Sequence, residues 1–187
     1  MRWGAEVKDM DVATIGCDNF HGGYQLTEHL LEKGHKQCAF IGTASRRAPE
    51  FYDRYKGHIA ALKHTGIEGN ENLQIDALYT EEAGYLATKQ LLVTGAKFDA
   101  LFAACDLIAV GAIRALTEHG LAIPDDVAVV GFDDIPMASF VNPPLTTAKQ
   151  DTMLAGELLV ENLLKLIAGD KPTTVLIESQ LIERSSS

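Results

Sequence analysis

Four times in succession the sequence runs from a short apolar, β-prone stretch into a stretch of helical period that stops at a glycine. The strand-like runs are residues 12–15, 37–41, 73–78 and 100–104, with a fifth at 127–131. The helical stretches are 21–33, 52–65, 81–94 and 106–119, and Gly34, Gly66, Gly95 and Gly120 follow them. Glycine enters the left-handed cap conformation without a Cβ penalty, so each marks a helix end. Strands alternating with helices of this length require right-handed βαβ crossovers, which build a parallel sheet covered on both faces. The expected fold class is α/β, with a doubly wound parallel sheet.

The last quarter departs from this rhythm. Asn142-Pro143-Pro144 breaks it, because a proline neither donates to a ladder nor continues a helix. Residues 145–149 read as a short strand. Residues 151–168 read as a long helix with Leu154, Leu158, Leu163, Leu164 and Ile167 on its apolar side. Residues 174–177 and 180–183 read as short extended pieces, and the tail Arg184-Ser185-Ser186-Ser187 is expected to fray.

Charge and cysteine content narrow the function classes. Asp and Glu number 26 against 16 Lys and Arg, a net charge of −10. A chain that holds nucleic acid needs a basic face, so this one is not expected to bind DNA itself. No apolar run approaches the roughly 20 residues of a membrane span, and residues 1–11 lack the apolar core of a cleavable signal. The three cysteines, Cys17, Cys38 and Cys105, are widely spaced, so a disulfide framework is not expected and a reducing cytoplasm is.

In an open α/β sheet, ligands bind beyond the carboxyl ends of the strands at the topological switch point. That rule selects the loop after 37–41, with Arg46, Arg47 and Glu50 and then Arg54 on the first helical turn. It also selects Tyr79 and Thr80 after 73–78, Cys105 and Asp106 after 100–104, and Asp133 and Asp134 after 127–131. Carboxylate, guanidinium and an aromatic ring on one edge suit a polyhydroxylated or heterocyclic small molecule. Several of these residues have plain structural uses. Asp106 reads best as the N-cap of the helix it precedes, and Cys105 as a small buried filler. Asp134 reads equally as a turn cap, a solvent-facing carboxylate or a ligand contact. Asp133 directly follows a buried strand and is the stronger ligand candidate.

No phosphate loop of the form G-x-x-x-x-G-K-[ST] is present, and no G-x-G-x-x-G follows the first strand. No G-x-S-x-G elbow or H-E-x-x-H occurs. The six histidines show no metal-ligand spacing among themselves or with cysteine. No catalytic constellation, cofactor or metal site is therefore expected. A phosphorelay receiver would need an acidic pair after its first strand, whereas Asp133-Asp134 follows a late one.

The run Phe102-Ala103-Ala104-Cys105-Asp106-Leu107-Ile108-Ala109-Val110-Gly111-Ala112 leads through Gly120-Leu121-Ala122-Ile123-Pro124-Asp125-Asp126-Val127 to Val130-Gly131-Phe132-Asp133-Asp134. With Asp18-Asn19 and Gly22-Gly23, His29-Leu30-Leu31, Gly34-His35, Arg54 and Gly57, and Pro143-Pro144-Leu145-Thr146-Thr147 before Gln150, it resembles the effector-binding part of LacI/GalR-family transcriptional repressors. The resemblance runs from about Val12 to Arg184. It implies a periplasmic-binding-protein-like, two-lobed sensor in which each lobe is flavodoxin-like and a small effector, a sugar or its derivative, sits in the cleft between the lobes. It also implies a homodimer whose DNA affinity, exerted through a helix-turn-helix domain, follows effector binding. Carried over residue by residue, Arg54 would clamp effector hydroxyls, Tyr79 would be the aromatic platform, Asp133 would accept from hydroxyls or N–H groups, and Gln150 and Thr152 would lie where the last crossover passes the cleft. Cys105 is counted with them as an effector-binding position, and Arg46, Arg47, Glu50 and Asp18 are further candidates.

The sequence departs from the resemblance at two places. Cys105 stands where many sugar-sensing members have Asn, and a thiol is a poor hydrogen-bond partner. The family's DNA-binding domain and most of its N-terminal lobe would precede residue 12. The expected organisation is a remnant of that lobe at 1–16, the C-terminal effector-binding lobe at 17–144, a return segment of the N-terminal lobe at 145–170, and final strands with the tail at 171–187. The apolar side of 151–168 should then pack abnormally, stand exposed or be covered by another subunit. The expected function is a non-enzymatic, cytoplasmic sensor of a small molecule. A transport-type sugar-binding protein and a dimerisation module without ligand are the alternatives.

Overall fold

A computed structural model describes residues 1–5 and 12–187. In chain order its elements are β1 (Arg2–Trp3), β2 (Thr14–Cys17), α1 (Asn19–Glu32), β3 (Cys38–Ile41), α2 (Pro49–His64), β4 (Gln74–Ile75), α3 (Glu81–Val93), β5 (Ala100–Ala103), α4 (Asp106–Glu118), β6 (Ala128–Asp133), β7 (Thr146–Lys149), α5 (Thr152–Ala168), β8 (Val175–Ile177) and β9 (Gln180–Ile182). Gly34, Gly66, Gly95 and Gly120 all have positive φ just past their helices, where the sequence places the stops.

Two sheets form. The larger has the order β4-β3-β5-β6-β7-β9, parallel except for antiparallel β9. The smaller is β1-β2-β8, wholly parallel. In the larger sheet the chain steps one way from β3 to β4 and the other way from β4 past β3 to β5. Right-handed crossovers then put the intervening helices on opposite faces. The helices accordingly pack in two pairs, α1 with α2 and α3 with α4. β3 and β5 are buried along their whole length because both faces are covered. Phe40, Phe102 and Phe132 are the largest side chains of this core, with Phe40 and Phe102 edge to face at 5.2 Å between centroids.

The α1–α2 pair is set by two glycines. A Cβ on Gly23 would stand 2.2 Å from the carbonyl oxygen of Arg54, and one on Gly57 would stand 2.1 Å from that of Phe20. The two backbones touch, which no side chain permits. The close approach seats α2, and with it Arg54, directly against the start of α1.

Several expectations need correction. Only Gln74–Ile75 of the 73–78 run forms a ladder, because β4 is an edge strand with one partner and the Asp76 carboxylate turns back to accept from the Ala44 N–H at 3.2 Å. The tail does not fray. Ser186 is fully buried, its carbonyl accepts from Val129 N–H at 2.7 Å, and its hydroxyl donates to the Val129 carbonyl at 2.6 Å and accepts from Thr146 N–H at 2.8 Å. The tail thus supplies partners that the β6–β7 ends would otherwise lack. The segment 171–187 divides, with β8 in the small sheet and β9 in the large one. β7, within 145–170, belongs to the large sheet and α5 rests against β2. Of the 1–16 segment, residues 6–11 lie outside the described residues.

The apolar side of α5 stands exposed in the chain by itself. Only Ala155 and Asn162 of this helix are buried, whereas Met153 is 76% and Ile167 75% accessible. Asn162 anchors it through reciprocal bonds with the Thr173 backbone at 2.7 and 3.1 Å.

Replacing Ser186 by Ala strips the buried Thr146 N–H of its acceptor. An orphaned buried donor costs about 1–3 kcal/mol, so Ser186→Ala is expected to lower the unfolding free energy by that amount in urea titrations. A change indistinguishable from zero would return the tail to a frayed role.

Candidate functional site

The carboxyl ends of β3, β5 and β6 open on a cavity of about 380 Å³ that the small sheet closes from the other side through Trp3, Gly4 and Cys17. Its floor is built around Arg54. Pro49 starts α2 just beyond β3, which points the residue at 54 back over the sheet edge. The guanidinium is buried and part of its donor set is engaged by the protein. Nε donates to Asn19 Oδ1 at 2.8 Å, Nη1 donates to the Ala104 carbonyl at 2.6 Å, and Nη2 lies 3.5 Å from Asp133 Oδ1. One face of the group lies 3.6 Å from the centroid of the Phe132 ring.

Asp133 completes the polar floor. Gln150 Nε2 donates to its Oδ1 at 2.6 Å. Burial pushes its carboxyl up, against the pull of Arg54 and Gln150, and burial likewise pushes Arg54 down. Desolvation exceeds pairing for both partners, so the 3.5 Å contact leaves this ion pair incompletely compensated. A ligand hydroxyl donating to Asp133 would add the missing compensation.

The backbone that presents Asp133 is strained. Asp133 has φ 117° and Asp134 φ 54°, two consecutive left-handed conformations without glycine. Flanking contacts hold them. Arg184 Nη2 donates to Asp134 Oδ1 at 2.6 Å, and Ile135 N–H donates to Asp106 Oδ2 at 2.9 Å. Asp134 is therefore spent on Arg184. The expected capping role of Asp106 is also corrected: Cys105 occupies the N-cap position, while the fully buried Asp106 carboxylate accepts from Ile135 and, at 2.6 Å, from the Thr147 hydroxyl. No side chain caps the helix start, and the carboxylate instead ties the β6 loop to β7.

The other candidates separate. Cys105 lines the cavity as a buried neutral thiol, its ionisation pushed up to about 11 by burial. Tyr79, 70% accessible, stands on the rim, and Gln150 and Glu50 face the cavity, with Glu50 Oε1 accepting from Ala5 N–H at 3.0 Å. Thr152 lies elsewhere, in a groove with Lys149, Asp151 and Glu178. Asp18 caps α1 by accepting from His21 N–H at 2.9 Å. Arg47 lines a second, adjoining cavity, and exposed Arg46 lines neither.

Asn19, Phe51, Leu107 and Trp3 line the cavity without having been singled out as site residues. Asn19 carried a signal in its motif with Asp18. Trp3 carried none, since its place depends on a two-residue strand pairing with β2.

A family model described as a periplasmic binding protein-like domain matches residues 27–187. The HTH-type transcriptional regulator CelR of Thermobifida fusca is 35% identical over 182 residues, 96% of this chain and 53% of the relative. The solved transcriptional regulator CelR–cellobiose complex superposes with a TM-score of 0.92 at 34% identity, covering 97% of this chain and 56% of that one. A regulatory protein of the LacI family from Chloroflexus aggregans superposes with a TM-score of 0.89 at 30% identity, covering 99% and 67%. The chain spans about half the length of the curated relatives it matches.

Burial lifts the Asp106 carboxyl from 3.8 to about 7. A raised folded-state value means that the folded protein holds the proton more tightly than the unfolded chain. The resulting stability is fully present below the unfolded value and is lost as pH rises through about 7. Unfolding free energy should therefore fall more steeply across this range in the parent than in Asp106→Asn, which has no proton to lose there. Equal slopes in the two proteins would mean that Asp106 is ionised throughout.

Proposed function

The chain belongs to the periplasmic-binding-protein-like family, among the LacI-type transcriptional regulators, and from that premise we propose that it is the small-molecule sensor domain of such a regulator. The observation that carries the reading is the cluster of buried Arg54 with half-buried Asp133 and Gln150, opening on a cavity between the two sheets. A polar array of this kind, partly buried and incompletely compensated, is suited to fixing ligand hydroxyls by directional hydrogen bonds.

The charge of the cavity argues for a neutral effector. Among the described residues Arg54 is its one buried cation, and the Asp133 and Glu50 carboxylates face the same space. A phosphorylated compound would meet two carboxylates for one guanidinium already engaged by protein acceptors. We assign effector contact to Arg54, Asp133, Gln150 and Tyr79, with Cys105 supplying an apolar wall. The fit is to a polyhydroxylated compound of the sugar class, taken between a large lobe (the six-stranded sheet with α1 to α4) and a smaller lobe.

In the full regulator this domain would act by linkage. An effector changes DNA affinity only by binding two lobe arrangements unequally. The reading includes a cytoplasmic homodimer that reaches its operator through a helix-turn-helix domain and has no enzymatic step. No helix of the described residues is long and apolar enough to cross a membrane.

Thermal denaturation against neutral sugars, sugar phosphates and purines tests this. A ligand at a hundred times its dissociation constant stabilises by about 2.7 kcal/mol. Neutral sugars are expected to raise the midpoint. Asp133→Asn, which keeps a residue tolerant of positive φ, is expected to weaken binding by about tenfold or more through loss of a charge-assisted bond. A stable protein that responds to no compound would instead support a ligand-free dimerisation module.

A further inference from the structure

The segment between β6 and β7 begins at Asp134 and ends at Leu145, and one side chain joins its two ends. Arg184, two residues past β9, donates from Nη2 to Asp134 Oδ1 at 2.6 Å and from Nη1 to the Leu145 carbonyl at 2.7 Å. Its own backbone is fixed as well, because its N–H donates to Thr146 Oγ1 at 2.9 Å. The side chains of Arg184 and Asp134 are only 20% and 14% accessible, so this is not the solvent-screened surface pair whose strength is negligible. Among the described residues, those lining the cavity include Asp133 but neither Asp134 nor Arg184.

We propose that Arg184 is a positioning residue, which keeps Asp133 turned into the cavity by clamping the loop that Asp133 leads into. The proposal rests on the sensor reading above and adds a residue that acts on effector affinity without touching the effector. Asp133 and Asp134 have φ 117° and 54°, and such a pair without glycine persists only where its surroundings over-determine it. Ile135 is tied to Asp106 on the far side, which leaves Asp134 itself to the Arg184 fork. A planar guanidinium fixes its two acceptors at the spacing of its own nitrogens, which a lysine ammonium cannot do. Release of Asp134 lets the chain return to negative φ. Rotation about the N–Cα bond of Asp133 then carries its carboxylate away from Arg54 Nη2, 3.5 Å off, and from Gln150 Nε2, which donates to it at 2.6 Å.

Binding of glucose, galactose, ribose and maltose to the 187-residue chain tests the assignment, followed by the emission of Trp3, its only tryptophan and part of the cavity wall. For a sugar that binds the parent, Arg184→Ala and Asp134→Ala are each expected to weaken binding about tenfold or more, the size of one lost charge-assisted bond to Asp133. The double variant should bind no more weakly than the worse single one, since both remove the same contact. Asp134→Asn keeps an acceptor for Arg184 and tolerates positive φ, so it should retain most of the affinity. Ser186→Ala, which destabilises the same tail without touching Asp134, is expected to bind as the parent does. The carboxyl carbon of Asp133, followed by NMR through a pH titration, gives a reading without ligand. Burial holds its ionisation above the ordinary carboxylate value. Arg184→Ala should bring it back down toward that value as the group leaves the cavity floor, whereas Ser186→Ala should not. Parent-like affinity and a parent-like Asp133 titration in folded Arg184→Ala, or equal weakening by Arg184→Ala and Ser186→Ala, would overturn the proposal. If no sugar binds the folded parent, the sensor reading falls, and the Asp133 titration alone decides whether Arg184 positions that residue.

Discussion

Everything at the cavity hangs on keeping one guanidinium out of water. A buried arginine cannot shed its proton to escape the desolvation cost, so the surrounding chain must surround it with acceptors. Asn19 comes from the start of α1, the Ala104 carbonyl from the end of β5, and Asp133 from the end of β6, while Phe132 covers the flat face. These elements lie far apart in sequence and converge only because the sheet order places β5 and β6 side by side with α1 and α2 above them. Arg54 therefore serves twice. It locks the helix pair to the strand ends, and it carries the positive potential of the cavity.

The same economy governs the acidic residues. Asp106, Asp133 and Asp134 stand near one another, but each is committed differently. Asp106 is inside, tying Ile135 to Thr147. Asp134 is held by Arg184. Asp133 keeps a face toward the cavity. The two outer attachments hold the consecutive positive-φ residues in place, so the strain at Asp133 is maintained by contacts that a ligand need not supply. The carboxylate is presented ready for use.

The sheet was legible because its signals are local. Period, glycine stops and buried β-prone runs each depend on a few neighbouring residues, and β3, β5 and β6 appear within two residues of their expected bounds. The strand-end rule likewise found Arg54, Glu50, Tyr79, Cys105 and Asp133, since it needs only topology. What escaped depends on distant partners. Ser186 looks like part of a polar tail until the unpaired Val129 and Thr146 backbone groups are seen beside it. Trp3 reaches the cavity through a strand of two residues. Asp106 has the ordinary sequence of an N-cap, and only the position of Thr147 on a neighbouring strand reveals why the carboxylate turns inward. Gly23 and Gly57 were visible as motif pieces, while their cause, backbone touching backbone, is a tertiary fact.

Three short connections join the two sheets: Asp18 between β2 and α1, Gln150 and Asp151 between β7 and α5, and Glu178 and Ser179 between β8 and β9. Any change in the relative setting of the sheets must be absorbed there, since the strands on either side are fixed in their ladders. Gln150 lies in one of these connections and donates to the same Asp133 oxygen that faces Arg54. A carboxylate oxygen accepts more than one hydrogen bond, so a group bonding it from the cavity would share it with Gln150. That shared acceptor lies one hydrogen bond from a connecting segment. Asp133 Oδ1 is thereby a point at which the cavity and a connection between the sheets meet.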